Sequence, residues 1–266
     1  MNKHTELRLA SLAFSGLVLL LLCQVAAAAP HAARAVVTHI AGAVEYREDG
    51  QTYWQRLRTG MALSEGTAVH TAEESVVDLA LTTGAIIRVG GYSAARLDKL
   101  TLETKGLPGT TTTVRQTRLT LEQGQLFCRV KKLEPGSSFQ VTTPLGLVEV
   151  TGTEFLVDKS FIRVISGELV LKGDRVRAGQ QISGSGQPMP APGDDAIASL
   201  YKAFKAETAG LDGIVLEGEF VDLQRLMSLL RAKEGVVAPF MTVANPAVEV
   251  SPTIPDRRPA KPPFTP

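Results

Sequence analysis

Apolar and polar residues alternate over short runs through most of the chain between Val36 and Ile182. A period of two places alternate side chains on opposite faces of an extended backbone, so these runs predict half-buried β-strands. Tight turns separate the runs, at Glu48-Asp49-Gly50, Thr82-Thr83-Gly84 and Ser166-Gly167-Glu168. The pattern therefore predicts a mainly β domain over residues 36–182.

The stretch Ser138–Val157 shows this organisation most clearly. Two strands surround Pro144 and Gly146, and the turn Thr151-Gly152-Thr153 leads into a third strand. Gly152 is expected to adopt a positive φ, which glycine tolerates. The order of strand, Thr-Thr turn, strand, glycine break and strand also occurs in Ser75–Leu97. Turn glycines recur at intervals near 20 residues, which fits a stack of short strands and hairpins, either a β-solenoid or a sandwich.

The period changes after the β region. Residues 183–193 have the Ser, Gly and Pro content of a linker, and residues 194–234 predict a helical region. Helices over Ala196–Ala206 and Phe220–Lys233 are expected to pack on each other or on the sheet, although a free amphipathic helix could bind a partner or a membrane. The apolar stripes of the two helices are Ile197, Leu200, Tyr201 and Phe204, and Phe220, Leu223, Leu226, Met227 and Leu230. Residues 235–266 hold eight of the 15 prolines and predict a disordered tail.

Residues 1–28 have the features of a signal peptide. Lys3 and Arg8 precede the apolar run Leu9–Cys23, and small residues at 25–28 suit cleavage after Ala28. Cleavage would release a periplasmic or secreted protein, whereas an uncleaved segment would anchor it in the membrane. Residues 30–35 are then expected to form an unstructured leader.

Composition argues against a nucleic-acid-binding protein and against an intramolecular disulfide in the mature chain. The 266 residues are 44% hydrophobic and 21% charged with a formal charge of +1, which does not favour a nucleic-acid-binding surface. Loss of Cys23 with the signal peptide would leave Cys128 alone, so no intramolecular disulfide could form. Cys128 alternates with apolar Leu126 and Val130, so it is expected to be buried rather than to act as a redox thiol.

No pattern of catalytic or metal-binding residues is found. His39 and His70 lie in strand-like runs, with neither a nucleophile motif nor a second ligand at metal-binding spacing nearby. Gly90-Gly91 is not followed by the helix and acidic residue of a dinucleotide-binding motif. The sequence therefore predicts no catalytic, cofactor-binding or metal-binding residues, and a protein that is not an enzyme.

The central stretch resembles the signature of the FecR domain family. A T-P-x-G turn is followed by a strand and then by V-x-G-T-x-F-x-V, here at Thr143, Pro144, Gly146, Val150, Gly152, Thr153, Phe155 and Val157. A second match is Trp54 followed by two glycines, Gly60 and Gly66, and a T-x-V-x-T strand. The resemblance covers about residues 36–182, and it implies a structural role for these residues.

The resemblance also implies a function. Known family members couple an outer-membrane transporter to a cytoplasmic sigma factor through an anti-sigma region, a membrane span and a periplasmic domain. Only Met1–Arg8 precede the apolar segment here, so a stand-alone exported FecR-domain protein without an anti-sigma region is expected. It would act as a non-catalytic protein-interaction or signalling module of the cell envelope with an envelope protein as partner, and β-strand addition is one available mode.

A cell-wall or glycan-binding β domain is the alternative, with peptidoglycan or another glycan as ligand. It would use the sheet face and residues 101–116, which are predicted to form a long exposed hairpin tip. With one Trp and four Tyr in the chain, few aromatic side chains are present to stack on sugar rings.

Overall fold

The computed structural model describes residues 31–105, 112–190, 196–218 and 221–234. Within these ranges, nineteen strands form two sheets, and helices follow the last strand. The prediction of a mainly β fold followed by a small helical region is confirmed. The predicted signal peptide and the predicted tail lie outside the described residues.

The strands are short, apart from one long pair. In chain order the first ten are β1 (His31–Ala32), β2 (Ala35–Ala41), β3 (Val44–Arg47), β4 (Gln55–Arg56), β5 (Ala62–Leu63), β6 (Ala68–Thr71), β7 (Val76–Leu81), β8 (Ala85–Val89), β9 (Ala94–Lys105) and β10 (Thr112–Gln123). The others are β11 (Leu126–Val130), β12 (Ser138–Thr143), β13 (Gly146–Val150), β14 (Glu154–Val157), β15 (Phe161–Ser166), β16 (Glu168–Leu171), β17 (Asp174–Arg177), β18 (Gln181–Ser183) and β19 (Pro188–Met189).

The chain passes repeatedly between the two sheets. Sheet A has the order β17-β16-β13-β12-β10-β9-β6-β3-β4, with β1 paired to β9, and sheet B has the order β19-β18-β15-β14-β11-β8-β7-β2-β5. Both sheets contribute side chains to one apolar core, which includes Leu79, Val141, Phe155 and Cys128. Cys128 is fully buried, as its alternation with apolar neighbours predicts.

The repeated pattern in the sequence corresponds to a repeated connection. The β7–β8 hairpin lies in sheet B and is followed by β9 in sheet A, whereas the β12–β13 hairpin lies in sheet A and is followed by β14 in sheet B. Gly90-Gly91 and Thr151-Gly152-Thr153 lie at these two changes of sheet. The two stretches share an order of elements, but they place those elements in opposite sheets.

A helical cap covers the outer face of sheet B. It consists of α1 (Ala196–Thr208), a 3-10 turn (Ala209–Leu211), α2 (Asp212–Val215) and α3 (Leu223–Glu234). Its apolar side chains, including Tyr201, Phe204 and Leu226, pack on Val36, Ala80, Ile86, Phe127 and Leu156 of the sheet. Packing of the predicted helices on the sheet is thus confirmed.

Two positions of the predicted apolar stripes point away from this cluster. Leu200 is 49% exposed and Leu223 is 41% exposed, so their assignment to the packed faces is wrong. Leu200 lies at the margin of the stripe of α1, and Leu223 is the first residue of α3. The sequence also did not predict the 3-10 turn and α2, because Gly210 and Gly213 weaken the helical signal there.

The β region is longer at both ends than the sequence predicts. Residues 30–35 were expected to be unstructured, which is wrong for the described part: His31–Ala32 pair with β9, and Ala33 and Ala35 are buried. Within the predicted linker 183–193, Pro188–Met189 pair with β18 and extend sheet B. Gly186 N–H donates to the Ser183 carbonyl over 2.9 Å, so residues with a linker-like composition form a hairpin turn.

The predicted hairpin at residues 101–116 is present, but it is less exposed than expected. The strands β9 and β10 pair along its described length, and Thr113 and Arg115 are buried. The hairpin also gains a neighbour, because β10 pairs in parallel with β12. Residues 106–111 at its tip lie outside the described part of the chain.

Candidate functional site

The signature turn between β12 and β13 is held by one threonine side chain. Thr143 Oγ1 donates to the Gly146 carbonyl over 2.8 Å and accepts a hydrogen bond from Leu145 N–H over 3.1 Å. Pro144 is exposed at the turn, and Gly146 has a φ of 134°. These contacts fix the register of a hairpin.

The second half of the signature makes the passage from sheet A to sheet B. Gly152 has a φ of 130°, as the sequence predicts, and a Cβ atom there would lie 2.6 Å from Lys132 Cα. Thr153 Oγ1 donates to the Glu168 carbonyl over 2.5 Å. The remaining signature positions, Val150, Phe155 and Val157, all lie in the core between the sheets.

The Trp54 segment forms a small aromatic cluster at the β4 end of sheet A. The Trp54 and His70 rings stack with centroids 3.8 Å apart, and the Arg47 guanidinium lies 4.8 Å from the Trp54 ring centroid. Gly60 and Gly66 have φ values of 81° and 86° and form turns that bring β5 and β6 into place. The signature residues therefore lie in a hairpin turn, a sheet crossing and an aromatic cluster, and they do not converge on one site.

Sheet A leaves its outer side exposed. We call this side the open face, and it is defined by the exposed side chains of Glu45, His70, Arg96, Arg118 and Glu149. Its polar groups are linked across strands: Arg118 Nε donates to Gln140 Oε1 over 3.3 Å, and Gln140 Nε2 donates to Glu149 Oε1 over 2.8 Å. Exposed contacts of this kind add little stability, so these side chains remain available to a partner.

The edge strands of the described sheets are poor templates for strand addition. They are β1, β4 and β17 in sheet A and β5 and β19 in sheet B, and each has two to four residues. On β17, both backbone groups of Arg177 are bonded to Gln180: its N–H donates to Gln180 Oε1 over 2.7 Å, and its carbonyl accepts from Gln180 N–H over 3.0 Å. Short edges disfavour pairing with another chain, and in β17 the charged side chains and the bonded backbone of Arg177 add to this effect.

Sheet B carries charged side chains on its outer face, beneath the helical cap. The Arg88 guanidinium donates to both carboxylate oxygens of Asp78, over 2.6 and 2.7 Å, and also to Glu207 of α1. The Asp78 side chain is only 1% exposed. Burial raises the pKa of the Asp78 carboxyl, although the hydrogen bonds and the charge of Arg88 act in the opposite direction.

A second ionic group joins the sheet to the cap through Arg129. Its guanidinium donates to both carboxylate oxygens of Asp212, over 2.8 and 2.7 Å, and contacts Glu154 Oε1 at 3.3 Å. Glu154 also accepts a hydrogen bond from Tyr201 over 2.5 Å and pairs with Lys205. Burial alone would raise the pKa of Glu154, but the Tyr201 hydroxyl, Lys205 and Arg129 outweigh it and hold that pKa below its ordinary value.

Sequence reasoning did not identify these ionic groups as important, although a signal was present. Asp78 and Arg88 each interrupt an otherwise apolar strand, Val76–Leu81 and Ala85–Val89. A charge within such a strand has to find a partner when it is buried. Their pairing follows from the register of the β7–β8 hairpin, in which Asp78 lies directly opposite Arg88.

A cleft of about 400 Å³ lies between the cap and sheet B. Its lining side chains come from both parts and are Thr38, His39, Thr59, Asp78, Glu207, Thr208, Leu211 and Leu230. Asp78 and Glu207 both pair with Arg88; the Asp78 side chain is buried, whereas the Glu207 side chain is 52% exposed.

Within the described ranges, no group of three or more His, Cys, Asp or Glu side chains is arranged to hold a metal ion. None of the helices in that same part of the chain combines the length and the apolar character needed to cross a bilayer.

Comparison with solved structures returns distant similarities. Two structures, determined at 1.65 and 2.50 Å resolution, are each described as "a putative anti-sigma factor from Parabacteroides distasonis". Both are 13% identical to this chain with a TM-score of 0.36; the matches cover 63% and 66% of this chain and 92% and 94% of theirs. No curated protein matches the chain.

Comparison with protein families gives a direct match. The family described as FecR protein matches residues 67–169, which run from the start of the T-x-V-x-T segment to the second residue of β16. This range contains the eight signature residues from Thr143 to Val157 and also Asp78, Arg88, Arg129 and Glu154 of the ionic groups. The helical cap and the Trp54 cluster, apart from His70, lie outside it. The resemblance to the FecR family that the signature predicts is therefore confirmed, over residues 67–169 of this chain.

Proposed function

We propose that this chain is a non-catalytic regulatory or signalling module of the cell envelope, and that it binds another protein through the open face of sheet A. The observation that carries the proposal is the difference between the two outer faces. Sheet B is covered on both sides, whereas sheet A presents exposed charged side chains such as Arg96, Arg118 and Glu149. The match to the FecR family supports the regulatory role.

Two further observations favour binding over catalysis. The signature residues act in turns and in the core, and the carboxylates at the cap cleft are engaged in ion pairs. A catalytic site would need a nucleophile or a general base within reach of a bound substrate. Binding on the face of the sheet is also favoured over strand addition, because Arg177 at the β17 edge is already bonded to Gln180.

Export belongs to the same proposal. The basic, apolar and small-residue segments of residues 1–28 support removal of a signal peptide, with the mature chain beginning at Ala29 in the periplasm or outside the cell.

The test is a crosslinking pull-down of the tagged protein from its native envelope, with the mature N-terminus sequenced from the same sample. We compare wild type with Arg118→Glu on the open face and with Arg225→Glu on the exposed side of α3. One envelope protein should be recovered by wild type and by Arg225→Glu, and several-fold less of it by Arg118→Glu. Equal recovery by all three proteins would contradict binding through the open face.

Glycan binding is the second candidate, and one observation favours it. Tyr53 is 57% exposed beside Trp54 at the β4 end of sheet A, where an aromatic ring could stack on a sugar. The Trp54 ring itself is stacked on His70 and contacted by Arg47, which leaves less of it for a ligand. The test is co-sedimentation of the protein with insoluble peptidoglycan. Loss of co-sedimentation in Tyr53→Ala would support this candidate, provided that the control Tyr92→Ala still co-sediments; Tyr92 lies elsewhere and is 61% exposed.

A further inference from the structure

We propose that the cleft between the helical cap and sheet B binds a small organic cation, namely an ammonium or guanidinium group carried on a short aliphatic stem. This inference stands whether or not the open face of sheet A binds a protein, because it concerns the opposite side of the molecule.

The cleft has the size and the mixed lining of a ligand site. Its volume of about 400 Å³ lies within the range of small-molecule sites, about 300–1,000 Å³. One wall is apolar, formed by Leu211 and Leu230 of the cap. Three threonines, Thr38, Thr59 and Thr208, lie around it; the Thr38 hydroxyl donates to the Asp78 carbonyl over 3.2 Å and the Thr208 hydroxyl donates to the Phe204 carbonyl over 2.7 Å. A ligand with an aliphatic part and a polar head fits this division.

The charges at the cleft favour a ligand with a positively charged head group. Asp78 and Glu207 share a single guanidinium, that of Arg88, so two negative charges face one positive charge and one negative charge is in excess. Asp78 is bonded through both oxygens and buried, whereas the Glu207 side chain is 52% exposed. Glu207 is therefore the carboxylate that a ligand can reach, and a cation would gain a charge-assisted hydrogen bond there.

Ligand binding would also hold the cap in place. Glu207, Thr208, Leu211 and Leu230 belong to the cap, while Thr38, His39, Thr59 and Asp78 belong to the β region. A ligand that contacts both halves binds only the docked arrangement, so it stabilises that arrangement by mass action. The cleft would thereby make docking of the cap sensitive to the concentration of an organic cation.

The test uses the full chain at pH 8. Calorimetric titration with n-butylammonium should show saturable binding, and 1-butanol, its uncharged counterpart, should not bind. Glu207→Gln should weaken binding at least about tenfold, which corresponds to loss of one charge-assisted hydrogen bond. The matched control Glu122→Gln, at an exposed glutamate of β10, should bind as wild type does.

A second variant keeps the test decisive if Glu207→Gln undocks the cap. Thr59→Lys places a tethered ammonium group at the cleft; it should raise Tm and abolish binding of n-butylammonium while the far-UV circular dichroism stays unchanged. Equal binding of butanol, wild-type affinity in Glu207→Gln with the cap docked, or no saturation up to about 10 mM would overturn the proposal.

Two further probes distinguish the sources of the cation. Tighter binding of 1,5-diaminopentane indicates a free polyamine, and tighter binding of Nα-acetyl-lysine amide indicates a lysine side chain of a protein.

Discussion

Sheet A and sheet B share one inner core, but their outer faces differ in kind. In β3 of sheet A, buried and more exposed side chains alternate, whereas all five residues of β8 and all five of β11 in sheet B are buried. An arginine on each sheet shows the consequence. Arg118 on the open face is exposed and contacts Gln140, whereas Arg88 under the cap is buried and bound to two carboxylates. The same residue type is thus available for recognition on one sheet and part of the internal structure on the other.

The largest expected effect comes from the contact between the cap and sheet B. Phe204 is fully buried against Phe127, so Phe204→Ala should lower the free energy of unfolding by about 3–5 kcal/mol. The matched change on sheet A, Leu147→Ala at a side chain that is 42% exposed, should cost less than about 0.5 kcal/mol. Urea unfolding followed by circular dichroism measures both changes. A small loss in Phe204→Ala would show that the cap adds little to the stability of sheet B.

The next largest loss of stability is expected from breaking the buried ion pair of Asp78 and Arg88. Asp78→Ala leaves Arg88 buried with Glu207 as its remaining carboxylate, so a loss of about 3 kcal/mol is expected, at the lower end for a broken buried pair. Arg118→Ala on the open face is the comparison, with an expected change of less than about 0.5 kcal/mol. A double-mutant cycle of Asp78→Ala with Arg88→Met should give a coupling energy well above zero. Additive effects would mean that the two side chains do not act as a pair.

A smaller effect is expected where the chain passes from sheet A to sheet B. Gly152→Val combines a positive φ with a Cβ atom 2.6 Å from Lys132 Cα, and should destabilise the protein by about 2 kcal/mol. Gly173→Ala is the control, because it has a positive φ of 96° with no atom within 4 Å, and it should cost about 1 kcal/mol. Thermal unfolding compares the two variants. Unchanged stability in Gly152→Val would show that the crossing can move to accept a side chain.

The smallest expected effect is the contribution of Glu154, in β14 of sheet B, to the dependence of stability on pH. Glu154 has a pKa below its ordinary value of 4.5 in the folded protein, so its contribution to stability is present above that value and is lost as pH falls through the folded pKa. Glu154→Gln should therefore make the fall in stability on acidification below pH 4.5 shallower than in wild type. Glu149→Gln on the open face serves as the control, and a response equal to that of Glu154→Gln would contradict the prediction.

The sequence predicts sheet A better than sheet B. A period of two is visible wherever one face of a strand meets water, as in Ser138–Thr143, where Phe139, Val141 and Thr143 point inward. In β8 the sequence shows no such alternation, because both faces of the strand are covered and nearly every position is apolar. The pattern therefore does not indicate which side chains face the inner core and which face the cap. The signature turn and the positive φ of Gly152 were predictable because they depend on local chemistry.

The features that were not predicted depend on contacts between distant parts of the chain. Leu200 and Leu223 fit the periodic pattern and are nevertheless exposed, because the pattern does not determine how far each helix is covered by the sheet. Pairing of Arg129 with Asp212 joins residues 83 positions apart. The cap cleft likewise exists only once α1 and α3 are docked beside β2 and β7, so no local motif indicates it.

The parallel pairing of β10 with β12 has a consequence for how the molecule can fold. The strand between them in sequence, β11, lies in sheet B, so the chain leaves sheet A and returns before this pair can close. Parallel neighbours need such a crossover, whereas a hairpin can form by itself. The connection within the middle of sheet A is therefore itself a strand of sheet B, where β11 lies between β8 and β14. Because each layer contains the connections of the other, we expect the β region to fold and unfold as one cooperative unit from which neither layer can be excised.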